Sequence, residues 1–213
     1  MEENNNVLKG TTTVGIKCQD GIVLAADKRA TAGHLVVNKK TDKVYSISDN
    51  IALTMAGTVS DAQLLSKLIK AELNLKRIRS GREATVKETA NLLAGMVYGN
   101  IRKPSMIPGV SHFLLGGKDD TGFYLYDIFA DGSLTLEDEY ITSGSGSVMA
   151  FGVLETLYKP NMPIEEGVSL AIKSVNAALQ RDSATGNGLK IITITEKGIE
   201  EVFNKEIQVG IKE

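Results

Sequence analysis

The sequence predicts an α+β fold: two antiparallel β-sheets lie face to face, and a helix pair covers the outside of each, giving a four-layer αββα sandwich. Three observations carry this. Strand-like segments are separated by hairpin-length turns, the hydrophobic period switches twice from strand to helix, and the helical stretches come as two separate pairs. Segregated helix pairs between strand runs satisfy every apolar face only when each pair packs on its own sheet. The chain has 213 residues, 42% hydrophobic and 23% charged, enough for one large domain to bury a core unaided by metal or disulfide.

The segment Met1–Asn6 is acidic and polar, and the first ten residues read as a tail. Strand sequence begins at Thr11: in Thr11–Cys18, Val14, Ile16 and Cys18 alternate to one face. Gln19-Asp20-Gly21 signals a turn, and Ile22–Ala26 is continuously apolar, so it is expected to be covered on both faces. A second pair runs from Val44 to Ile47 and from Ile51 to Ala56, across a turn at Ser48–Asn50.

The period then becomes helical. Ser60 and Gln63 have capping-box spacing, and Leu64, Leu68, Ala71, Leu75 and Ile78 repeat at helical intervals. Thr85 and Glu88 repeat the capping signature ahead of Ala90, Leu93, Val97 and Ile101, and Pro104 and Pro108 close that helix. Strand signals return over His112–Leu115, Phe123–Ile128 and Leu134–Tyr140. A second helix pair covers Val148–Tyr158 and a stretch opening at Pro163 towards Gln180. The chain closes with strands over Leu189–Thr195 and Ile199–Phe203.

Composition excludes several classes. A net charge of −2 gives no electrostatic footprint for nucleic acid or an anionic membrane. The single cysteine, Cys18, permits no internal disulfide. The N-terminus lacks the basic start and apolar stretch of a secretory signal, and no apolar run is long enough to span a bilayer, so a soluble protein of the cytoplasm is expected. The two histidines, His34 and His112, have no metal-ligand spacing, and no paired-cysteine or Walker-type motif is present, so neither metal nor cofactor is expected. Gly144-Ser145-Gly146 before a helix is a conceivable anion cradle, but it lacks the P-loop lysine.

With catalytic machinery this scarce, the Gly10–Thr11 junction stands out. Cleavage there would leave a hydroxyl and an α-amine on one residue, and an α-amine near pKa 8 can take the hydroxyl proton and return it to a leaving group. Gly10 would allow the tight backbone geometry of self-cleavage. By composition alone, Thr11–Thr13 reads more readily as the start of a β-strand, where threonine is enriched. Asp27 follows the buried apolar strand and Lys43 precedes the next one. Near the Thr11 hydroxyl, Lys43 would lower its pKa while Asp27 keeps the lysine charged and placed. Read singly, each is an ordinary strand-end residue.

Gly10–Gly15, Ala26-Asp27-Lys28-Arg29-Ala30, Lys43, Met55-Ala56-Gly57 and Asp61-Ala62-Gln63 together resemble the proteasome β-subunit pattern, in the archaeal-type form. Ser143–Ser147, Gly152–Glu155, Glu165–Gly167 and Arg181–Gly186 continue it in order to about residue 195. The resemblance implies the N-terminal nucleophile hydrolase fold and a threonine endopeptidase. Residues 1–10 would be a propeptide removed by self-cleavage, leaving a single catalytic domain over 11–213. Thr11 would be the nucleophile, supported by Asp27 and Lys43, with Ser145, Asp182 and Thr185 orienting its amine and a water. Position 185 departs from the family, which usually has serine there. The Gly57 N–H would be the oxyanion donor. An extended substrate would pair with backbone at Thr31, Gly57 and Val59, and Ala30, Met55 and Val59 would line a pocket for large hydrophobic side chains.

The family assembles two seven-membered β rings between two rings of α subunits, with a regulatory ATPase acting through the α ring and unfolded polypeptides as substrates. The helical faces of 58–78 and 147–158 are candidates for such contacts. Two other readings are an inactive structural ring subunit and a bacterial two-ring ATP-dependent threonine protease. Gly10-Thr11 with Asp27 and Lys43 opposes the first, and Arg181–Gly186 fits the proteasome β pattern better than the second.

Overall fold

The computed structural model describes residues 10–106 and 108–207. In chain order the elements are β1 (Thr13–Cys18), β2 (Gly21–Asp27), β3 (Ala30–Ala32), β4 (Leu35–Asn38), β5 (Val44–Ser46) and β6 (Ile51–Gly57). Helices α1 (Val59–Ser80) and α2 (Val86–Ile101) follow, then β7 (Ser111–Asp119), β8 (Gly122–Ile128), β9 (Leu134–Glu137) and β10 (Tyr140–Ser143). The chain ends in α3 (Ser147–Leu157), α4 (Ile164–Arg181), β11 (Gly188–Thr195) and β12 (Gly198–Glu206). One five-stranded sheet runs β10-β1-β2-β11-β12, the other β5-β6-β7-β8-β9, and β3-β4 forms a separate two-stranded ribbon. All ladders are antiparallel.

Three apolar layers follow from the strand alternation. Val14, Ile16, Val23 and Ala25 face outward from the first sheet onto Ala150, Leu154, Leu170 and Val175 of α3 and α4. Leu53, Met55, Phe113 and Leu115 face outward from the second sheet onto Leu65, Ile69, Leu93 and Val97 of α1 and α2. Ile22, Leu24, Leu114, Leu125 and Ile194 fill the space between the sheets. The predicted αββα sandwich is the observed architecture. Every residue of β2 is buried, as its unbroken apolar run requires.

Four local expectations are corrected. The 134–140 stretch is two strands in different sheets: β9 pairs with β8 and β10 with β1, the chain crossing over at Asp138 and Glu139. Ser60 and Gln63 form no capping box, because α1 begins at Val59 with Thr58 at its N-cap. The Leu64, Leu68, Ala71, Leu75 and Ile78 stripe lies on the exposed side of α1, while Ala62, Leu65, Ile69 and Leu73 face the core. Thr11 and Thr12 precede β1 instead of opening it, and the β3-β4 ribbon was not anticipated. By contrast, Thr85 and Glu88 do form a reciprocal capping box at α2. Among the described residues no helix is long and apolar enough to cross a membrane.

Candidate active site

The site is assembled where the C-terminal end of β2 meets the chain just before β1. The β2 strand delivers Asp27 in a fully buried position, and its carboxylate is held by four donors. Oδ1 accepts from Lys43 Nζ at 2.7 Å and from the Thr12 N–H at 3.0 Å. Oδ2 accepts from the Arg29 and Gly186 N–H groups, each at 3.0 Å. Lys43 sits just before β5, its carbonyl accepting from the Met55 N–H at 2.9 Å, so β6 fixes its backbone. Both side chains of the ion pair are buried. Burial pushes the Lys43 ammonium below its ordinary range, and this outweighs the opposing pull of Asp27. Lys43 therefore releases its proton more readily than a surface lysine.

Thr11 is 4% exposed, and its hydroxyl donates to the carbonyl oxygen of Gly10, the residue whose peptide bond to Thr11 self-cleavage would break. Its N–H points to Ser145 Oγ at 3.3 Å. Ser145 in turn donates to Asp182 Oδ2 at 2.5 Å, and Thr185 Oγ1 donates to the same oxygen at 2.6 Å. The threonine at 185 thus makes the contact that a serine there would make, and it also shares a 2.6 Å hydrogen bond with Thr12 Oγ1. Packing of this segment is tight. A Cβ on Gly10 would lie 2.1 Å from that of Ala184, and one on Gly144 would lie 2.0 Å from the Thr11 carbonyl oxygen. The Gly144–Gly146 turn is occupied by the chain itself, which removes it as an anion cradle.

Beside Thr11 opens a pocket lined by Ala30, Thr31, Lys43, Met55, Gly57 and Val59, with Ala62 behind. Every residue expected to bind substrate lies on this wall. Gly57 ends β6 at φ +110°, where a Cβ would strike the Val110 carbonyl. The β3 strand, which carries Thr31, has β4 as its ladder partner among the described residues. The Gly10 N–H already reaches Thr31 Oγ1 there, at 3.2 Å.

The structure does not bring the histidines to this place. His34 is exposed in the β3-β4 turn, and His112 pairs with Asp127 and stacks edge-on against Phe129 at 4.8 Å. Burial, with Asp20 and Glu165 nearby, pushes the Cys18 thiol up to about 12, which disables it as a rival nucleophile. Among the described residues no group of three or more His, Cys, Asp or Glu side chains is arranged to hold a metal. Sequence reasoning assigned no role to Thr12, Arg29 or Gly186, which bond directly to the site's residues, or to Asn187, which bonds to Arg29. Thr12, Arg29 and Gly186 lie within the motifs that carry the resemblance, and Asn187 directly follows one of them.

The family model described as proteasome subunit matches residues 7–194. A proteasome subunit beta of Ferroglobus placidus is 43% identical over 205 residues, covering 96% of each chain. A proteasome subunit beta 1 of Thermococcus onnurineus is 43% identical over 96% of this chain and 98% of its own. That of Methanothermobacter thermautotrophicus is 39% identical over 98% of both. The chain belongs to the proteasome subunit family, and the relatives it resembles along nearly their whole length are archaeal β subunits.

Proposed function

We propose that this chain is a catalytic β subunit of a proteasome core particle, a threonine endopeptidase whose nucleophile is Thr11. The observation that carries the reading is the placement of the Thr11 hydroxyl. It lies on the Gly10 carbonyl, at the edge of a small pocket that is also lined by Lys43, the partner of the buried Asp27.

In the uncut chain the Thr11 nitrogen is an amide and cannot act as a base. Lys43, its pKa lowered by burial, takes the hydroxyl proton as Thr11 Oγ attacks the Gly10 carbonyl carbon. That proton passes to the Thr11 nitrogen as the C–N bond breaks, leaving an ester. Water then hydrolyses the ester, releasing residues 1–10 and a free Thr11 amine. The propeptide is thus 1–10 and the mature catalytic domain 11–213; residues 1–9 lie outside the described residues. In the mature form the amine joins Lys43 as proton carrier, held by Ser145, Asp182 and Thr185, and the Gly57 N–H receives the oxyanion.

Partners follow from the family. The chain would join a seven-membered β ring stacked on α-subunit rings, in the cytoplasm, and degrade unfolded polypeptides fed through the α ring by a regulatory ATPase. The exposed Leu64, Leu68, Leu75 and Ile78 on α1, and Val148 and Leu157 on α3, support contact with other subunits.

The test is hydrolysis of fluorogenic peptides by the particle assembled with its α partner. Peptides with a large hydrophobic residue before the cut should be hydrolysed fastest, and a Thr11→Ala particle should be silent. Activity surviving in Thr11→Ala would remove Thr11 as nucleophile. Equal or faster cleavage after acidic residues would count against the pocket assignment.

A further inference from the structure

Arg29 touches both halves of the site, beside the link that the Asp27 carboxylate makes to the Gly186 N–H. The Arg29 backbone N–H donates to Asp27 Oδ2 at 3.0 Å. Its guanidinium reaches across to the segment after α4, with Nε donating to Asn187 Oδ1 at 2.8 Å and Nη1 to the Ser183 carbonyl at 2.7 Å. Gly186 lies flat against the same group, since a Cβ there would come within 2.3 Å of the guanidinium carbon.

That segment, 182–187, contributes two things to the site. Asp182 accepts from Ser145 and Thr185, and the Gly186 N–H caps Asp27. It is also a conformationally costly turn, because Asn187 holds φ +62°. A left-handed non-glycine residue needs its surroundings to keep it there, and the Asn187 side chain is kept by Arg29.

We infer that Arg29 is a positioning residue for the Thr11 reaction: its guanidinium clamps the 182–187 turn onto the Asp27 end of β2. Asp182 is thereby held against Ser145, and Ser145 against the Thr11 nitrogen. The planar fork is essential to this, because two acceptors on different residues are met by one rigid group. A lysine offers a point charge and cannot span both. The inference rests on the Thr11 reading and adds a residue that touches neither substrate nor the reacting atoms.

The test uses the full chain assembled with its α partner, as wild type, Arg29→Lys and Asn187→Gly. Asn187→Gly removes the Nε acceptor yet accommodates the positive φ, so it keeps the turn's backbone and covers the case in which Arg29→Lys fails to fold. For each particle kcat and KM for a fluorogenic peptide are measured per cleaved chain, counted by intact mass, beside the melting temperature. The expected result is a fall in kcat of about ten- to a hundredfold in both variants, the scale of a small misplacement in a reacting site. KM should be unchanged and the Asn187→Gly melting temperature should equal that of wild type. The inference is overturned if kcat per cleaved chain stays within about twofold of wild type, a change too small for a misplaced site. It is equally overturned if the loss merely follows the melting temperature. An inactive wild type would instead overturn the Thr11 reading, and this inference with it.

Discussion

Asp27 is the residue on which the site converges, because one buried carboxylate accepts from Lys43, Thr12, Arg29 and Gly186. Asp27→Ala would strand the Lys43 ammonium and several N–H groups away from water. Breaking a buried pair in this way costs about 3–5 kcal/mol, so denaturant unfolding should show a loss of that size together with loss of activity. Lys43 gives a pH test. Its folded pKa lies below the ordinary 10.5, so between those two values the unfolded chain binds more protons than the folded one. Its contribution to stability therefore rises with pH through that window. The rate of Gly10–Thr11 cleavage should rise with pH as Lys43 loses its proton, with a midpoint below 10.5. Lys43→Arg, which keeps its proton throughout, should lack that limb in a pH series of cleavage rates.

Elements were legible where the period had one reading and obscure where it had two. The unbroken apolar run of β2 and the Thr85–Glu88 box each had a single physical solution, and both are found. Helix α1 carries leucines on two sides, so a 3.6-residue repeat through Leu64 and Leu68 competes with one through Leu65 and Ile69. Contact with the sheet, which sequence does not reveal, selects the second. Ile69→Ala should therefore cost the isolated chain about 2–5 kcal/mol, while Leu68→Ala should stay within about 0.5 kcal/mol; paired chemical denaturation curves check both. At α2, Thr85→Ala should lower stability by about 1 kcal/mol without changing kcat. The split between β9 and β10 left no mark in sequence, because both halves alternate as strands and only their partners differ.

For the whole molecule, the sandwich acts as a frame that brings residues far apart in sequence to one end of two sheets. Thr11, Asp27, Lys43, Ser145, Asp182 and Thr185 meet because β1 lies between β10 and β2, and β2 between β1 and β11. The candidate residues of the site came from the order of motifs that carries the family resemblance. The bonds joining them did not. Arg29 reaching Asn187 and Thr12 reaching Thr185 cross more than 150 positions of chain, and only the folded topology sets those pairs. The same frame leaves apolar side chains exposed on α1 and α3, which an assembled ring would cover.

The most direct test of Thr11 as a self-activating nucleophile is the intact mass of the chain after assembly with its α partner, beside a Thr11→Ala variant. Wild type should lose residues 1–10 and the variant should keep them. An uncut wild type in a fully assembled particle would contradict the account and leave a structural ring subunit in its place.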